Sequence, residues 1–352
     1  MSTLKVSKIE PVTSGGDCIV KATNIVGNKN LIINGSMDVA QRGDTTGVQS
    51  SYGGADRFGV WSNSDGRVTL KQGGSGVSPN SQGFTSCQHL DCTTVASSGT
   101  YAYLGYRFEG QDLQQLKKGT ANAESVTLSF WVSSPKTGTH IIQLYDNDNA
   151  RHICKSYTVN TANTWEKKTL TFAGDTTGAL GNDANYSLQI YWWLYASSTF
   201  TSGTLATSWA SFTAANACPG QVNVLDNTAN DFKLTGVQLE VGDVATDFEH
   251  RSYGDELARC QRYYEICANG WYGHIDDTGG DIQIYSEFKT IKRDSPTLTA
   301  LSTGENCVSS VSVVAYPSGL GLDHGARVKG NNVVATGNNK YIEARYSAAS
   351  EL

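Results

Sequence analysis

The segment YSLQIYWWLYAS, residues 186–197, carries more aromatic side chains than one core-facing strand can use. Strand alternation puts Leu188, Ile190, Trp192 and Leu194 on one face and Gln189, Tyr191, Trp193 and Tyr195 on the other. The same parity in YAYLGYRFEG sets Tyr101, Tyr103 and Arg107 opposite Ala102, Leu104, Tyr106 and Phe108. In SVTLSFWVSS it sets Trp131 opposite Phe130 and Val132, and in HIIQLYD it sets Gln143 and Tyr145 opposite Ile142 and Leu144. With the aliphatic faces inward, the nominally wet face collects the aromatic, amide and guanidinium groups. Such groups bind sugars: a ring stacks on the C–H side of a pyranose while amide and Arg groups meet its hydroxyls. The same face could instead lie between subunits, where Tyr, Trp and Arg are enriched, or another part of the chain could cover it. Trp193, then Tyr191 and Tyr195, lead the glycan candidates.

Other chemistries find less support. Cys87, His89 and Asp91 share one face of SCQHLDC, but a tetrahedral metal site wants four ligands at familiar spacings. The eight cysteines are scattered without a CxxC and read as buried free thiols. Acids such as those of YDNDN and HIDDTGGD fall in turns, where Asp and Asn belong for backbone reasons. The six histidines are isolated, and GxSxG and HExxH are absent, so no catalytic residues are assigned and the chain is not expected to be an enzyme. A net charge of −6 without any Lys/Arg run argues against a nucleic-acid partner. The N-terminus lacks a signal-peptide core, and no apolar run is long enough to span a bilayer, so synthesis in the cytoplasm without membrane insertion is expected.

These candidates need a scaffold of strands. Short alternating segments between Gly, Asn, Ser and Thr turns predict an all-β chain: an antiparallel sandwich or jelly roll over 30–251. NLIING reads as its first strand and DFKLTGVQLEV as its last. The parity slip at Thr235-Gly236 predicts a bulge at Gly236. FTSGTLATSWASFTAANACPG reads as a long loop. HRSYGDEL then starts a helix, with Ser252 as N-cap and Asp255 three residues on. Leu257, Cys260, Tyr263 and Tyr264 form its apolar stripe over 252–269. That stripe could pack within the chain or meet two further copies about an axis. Residues 270–352 form a smaller β domain, and the polar segment 1–29 reads as an attachment or oligomerisation arm.

NLIINGSMDVAQRG with GADRFGVW, NTWEKKTLTFAG, and GVQLEVGDVATDFEHRSYGDELARCQRYYE together resemble a β-sandwich module of bacteriophage tail-fibre and related virion proteins. FKTIKRDSPTLT and the terminal SEL are similar to the distal part of such proteins. The resemblance implies a virion appendage subunit with a jelly-roll domain like those of carbohydrate-binding modules. Such a subunit would be homotrimeric, join other tail or virion proteins through its N-terminal arm, and contact host surface polysaccharide. The same resemblance places a structural calcium near the first and last strands, where Asn34, Asp38, Glu240 and Asp243 offer oxygen ligands. Turn caps and solvated acids are the plainer reading of those four, and no cofactor is assigned. A purely structural virion subunit without a host ligand is the alternative; a polysaccharide-cleaving spike is a third reading.

Overall fold

A computed structural model describes residues 29–74, 76–315 and 324–352. The arm assigned to 1–29 lies outside them except for its last residue. The first domain runs through β1 (Thr45–Val48), β2 (Ser51–Tyr52), β3 (Gly59–Ser62), β4 (Arg67–Gly73), β5 (Cys87–Thr94), β6 (Tyr101–Glu109), β7 (Val126–Ser133), β8 (Gly138–Asp146), β9 (Arg151–Val159), β10 (Glu166–Phe172), β11 (Tyr186–Ala196), β12 (Ala210–Ser211) and β13 (Asp231–Val241). Two antiparallel sheets face each other as a jelly-roll sandwich. One is ordered β1-β4-β5-β13-β7-β10 and the other β12-β9-β8-β11-β6-β3-β2. The inward parity is the predicted one: Leu104, Phe130, Ile142, Ile190, Trp192 and Leu239 meet in one core.

One local expectation about the sandwich holds and another does not. Gly236 has φ +59°, and the β13–β7 register shifts between Thr235 and Gln238. This is the predicted bulge, and a glycine adopts that φ without a Cβ clash. It lets Phe232 and Leu234 face the core on one side of the slip and Val237 and Leu239 on the other. NLIING, by contrast, is no strand. It runs beside β13 with only two backbone bonds, Leu31 N–H to the Leu239 carbonyl and Val237 N–H to the Gly35 carbonyl, both 2.9 Å. Asn34, at φ +61°, turns the chain away.

Helix α1 (Ser198–Thr201) lies within the segment read as a long loop. Helix α2 (Tyr253–Gln261) starts as predicted, with the Ser252 hydroxyl accepting from Asp255 N–H at 3.2 Å. It is shorter than the 252–269 expected. At Tyr264 the chain is already in β14 (Tyr264–Ile275), because YYEI is aromatic and β-branched and pairs along β19 (Gly337–Ala349). With β15 (Ile282–Glu287), β16 (Thr297–Glu305), β17 (Val308–Ala315) and β18 (Gly325–Val333), these strands form two three-stranded sheets, β14-β19-β16 and β15-β18-β17. Phe288, Val328, Ile342, Ala344 and Tyr346 fill the core between them.

The helical stripe packs within this chain. Cys260, Tyr263 and Tyr264 are buried inside it, and Leu257 is half-buried. Tyr263 lies under the Arg57 guanidinium, 3.4 Å from ring centre to Cζ, and Tyr264 under that of Arg42 at 3.7 Å. The Tyr263 hydroxyl donates to Glu109 Oε1 at 2.5 Å, and Arg262 grips the same carboxylate through Nε and Nη2 at 2.8 and 2.7 Å. An interface between copies built on this stripe is therefore overturned: the side chains are spent in joining the two domains.

The far end of the chain closes the same seam. Arg57 pairs with Glu351 and donates to the Arg107 carbonyl at 2.8 Å, Arg42 reaches Glu351 at 3.0 Å, and Arg293 Nη1 donates to the Ala184 carbonyl at 2.9 Å. Burial would raise the Glu109 carboxyl, but the Arg262 and Tyr263 donors hold it below the usual range. Asp56 shows the opposite balance: burial pushes it up to about 6 although Arg42 and Gln41 face it.

Arg57→Met leaves Glu351 buried with only Arg42 beside it. It is expected to cost about 3 kcal/mol of unfolding free energy, the lower end for a broken buried pair. Urea melts measure this, and limited proteolysis should then cut between the two domains first. A melt unchanged from wild type would refute the role of the seam.

Candidate functional site

The outer face of the seven-stranded sheet brings the predicted aromatic residues together, but not as an open platform. β3, β6, β11 and β8 lie side by side, so Trp61, Tyr103 and Trp193 fall in one row and Arg107, Gln189 and Tyr145 in another. The rings stack on each other. Tyr103 and Tyr191 are parallel within 15° at 3.9 Å, Tyr191 and Tyr145 stack at 6.0 Å, and Trp61 stacks on Tyr103 at 5.9 Å. Ring faces that meet each other are not offered to a sugar. Burial raises the Tyr103 phenol to about 12 and also lifts that of Tyr191 well above its ordinary value.

Trp193 is corrected from glycan platform to core. It is 2% exposed and lies under Phe200, Leu205, Ala206 and Cys218, which the segment after β11 folds back over the sheet. Its indole N–H donates to Gln143 Oε1 at 3.1 Å, and Gln143 Nε2 faces His152 Nδ1 at 3.1 Å. With the Gln143 oxygen taken by Trp193, its amide must donate to His152, so His152 carries its proton on Nε2. Tyr101 is half-buried with its ring edge-on to Phe200, and Tyr195 turns at a bulge to pack on the main core. Trp131 is not part of this face at all. It lies on the outer side of the other sheet, sharing with Phe84 the space above Gly236.

What remains is a smaller group around Gln189. Arg107 and Tyr145 flank it across the strands, Tyr191 lies two residues along β11, and Tyr186 stands by the Arg107 guanidinium at 4.7 Å. Gln189 is 2% exposed, and its Nε2 has no hydrogen-bond partner among the described residues. Arg107 is held from the side by the Trp61 ring at 4.3 Å and by the Leu352 carbonyl. Trp61 lies across Gly59 and Gly105, where any Cβ would come within 3.0 Å of its ring. Trp61, Tyr52, Tyr186 and Phe212 are not singled out by strand parity; the pattern G-V-W, glycine two residues before Trp61 on the same face, is the signal that could have found the first.

The ionic candidates resolve into internal bracing. His89 Nε2 is 2.8 Å from Asp91 and 3.0 Å from Asp231, which β13 brings alongside β5. Lys71 pairs with Asp91 and Lys233 with Asp231, so two cations already balance the two carboxylates a metal would need. Cys87 is buried, which pushes its thiol up. For calcium, Asn34 spends its side chain on Val39 and the Asp56 carbonyl, and Glu240 accepts from Thr246 N–H and hydroxyl at 3.0 and 2.5 Å. Among the described residues Asp38, Glu240 and Asp243 do not come together as a group of ligands.

Family models and curated proteins give no match. Among solved structures, a CBM4 carbohydrate-binding module aligns at 12% identity over 59% of this chain and 97% of its own, with a TM-score of 0.31. The enzymatically active domain of bacteriophage CBA120 tailspike protein 4 aligns at 13% identity over 60% of this chain but 21% of its own, TM-score 0.31. The tripod from the baseplate of bacteriophage Tuc2009 aligns at 13% over 63% and 58%, TM-score 0.24. Likeness at this level assigns no function.

Two outcomes follow from the covered Trp193. Trp193→Ala is expected to destabilise the sandwich by about 3–5 kcal/mol in chemical denaturation, as a buried aromatic does; a cost below about 1 kcal/mol would restore it to the surface. Burial lowers His152 to about 4. A base depressed in the folded state contributes stability that is present above about 6.5 and lost as pH falls towards 4. Denaturation of wild type and His152→Gln from pH 7 to 4 should show the steeper loss in wild type, His140, also lowered by burial, contributing to both.

Proposed function

We propose that this chain is a virion appendage subunit that binds a host surface glycan around Gln189, without catalysing its cleavage. The observation that carries the reading is the unpaired Gln189 Nε2, buried between Arg107 and Tyr145 of the flanking strands. An unpaired buried donor costs about 1–3 kcal/mol. A sugar hydroxyl accepting from it recovers that cost, while the tyrosine hydroxyl edges and Arg107 meet the neighbouring hydroxyls. The sequence resemblance to phage fibre modules supports the virion setting, and trimeric assembly with attachment through residues 1–29 belongs to the same proposal. Three weak sites on one particle would act together by avidity.

A purely structural role is favoured by one observation, the self-stacking of Tyr103 on Tyr191 with Trp193 covered beside them. Gln189→Leu separates the two. It removes the unpaired amide at nearly constant volume, so stability should be unchanged or higher. Binding of labelled protein to host cells should fall roughly tenfold if a glycan uses that donor. Unchanged cell binding by a folded Gln189→Leu protein would leave the structural reading standing.

A further inference from the structure

We infer that the outward face of the β14-β19-β16 sheet is a second saccharide site, separate from the sandwich. It extends the glycan-binding reading but rests on its own residues. Along β19 the inward side chains Ile342, Ala344 and Tyr346 are buried, and Glu343 and Arg345 stand outward between them. The register sets Tyr272 beside Tyr341, then Gly270, Glu343 and Gly304 in the next row. Glu343 therefore has no side chain on either flank. It leans over Gly304, where an added Cβ would lie 2.8 Å from its Oε1. The result is a shallow groove of about 380 Å³ with tyrosines at one end and a carboxylate in its floor.

The chemistry differs from that of the stacked rings on the sandwich. Tyr272 is 69% exposed and has no aromatic partner among the described residues. Its hydroxyl donates to Asn339 Oδ1 at 2.6 Å, which orients a ring that would otherwise swing freely. An exposed aromatic held in place offers its face at little conformational cost on binding. Glu343 and Arg345 are exposed and make no ion pair or side-chain hydrogen bond within the described residues. They stand about 7 Å apart along the strand. A pyranose stacked on Tyr272 places vicinal hydroxyls towards Glu343, which accepts two hydrogen bonds, while Arg345 donates to the next ring. An apolar ligand would leave both charges without use.

Calorimetric titration of the full chain with cellohexaose, maltohexaose, xylohexaose and chitohexaose tests this. For at least one hexaose, Tyr272→Ala and Glu343→Gln should each weaken binding roughly tenfold. Tyr272→Phe, which keeps the ring, should retain most of the affinity, separating stacking from loss of fold. Hexaose binding that survives both Tyr272→Ala and Glu343→Gln overturns the site, as does the absence of binding to all four by wild type. Tyr145→Ala and Gln189→Leu report on the sandwich independently: if they change nothing while Tyr272→Ala does, the sandwich reading fails and this site stands.

Discussion

Two carboxylates, Glu109 from the sandwich and Glu351 from the end of the second domain, are buried in one seam, and the arrangement of the chain follows from neutralising them. A charge out of water must be paired and hydrogen-bonded or it unfolds its surroundings. Glu109 is met by Arg262 and Tyr263 from the turn after α2, and Glu351 by Arg42 and Arg57 from the sandwich. The donors and acceptors cross in both directions, so neither domain satisfies its own charges alone. Arg57 lies over Tyr263 between the two carboxylates and is itself almost fully buried. A joint of this kind gives a defined angle between domains where a flexible linker would give none.

The seam also reaches the candidate site. Arg107 donates to the Leu352 carbonyl, and Tyr52 does the same at 2.9 Å, so the second domain helps to fix the guanidinium beside Gln189. The Trp61 ring on its other side is flat because Gly59 and Gly105 leave the sheet bare beneath it. Positioning of one polar group thus depends on two glycines in the sandwich and a residue roughly 250 positions later in the chain.

The sandwich and the β14-β19-β16 sheet make different use of their outward tyrosines. On the sandwich, neighbouring strands each contribute a ring, and cross-strand stacking consumes the faces. On β14-β19-β16, glycines alternate with the rings, and Tyr272 keeps its face free. An aromatic side chain on the outward parity therefore exposes its face only where no neighbouring ring stacks on it.

Strand parity, turn chemistry and capping are local properties, and the sequence alone determined what rests on them. These are the inward Leu104, Ile142 and Trp192, the Gly236 bulge and the Ser252 cap. Each depends on residues within a few positions of one another, so periodicity reports it. Tertiary structure decided which outward residues see solvent. Trp193 and Trp131 share a parity class, yet one is buried under the segment after β11 and the other lies on the opposite sheet. Tyr263 reads as part of an apolar helical stripe whose partner the period leaves open, and it proves to lie in the domain seam. Parity distinguishes the two faces of a strand, but which sheet it joins and what later covers it are set by contacts distant in sequence, which no local period encodes.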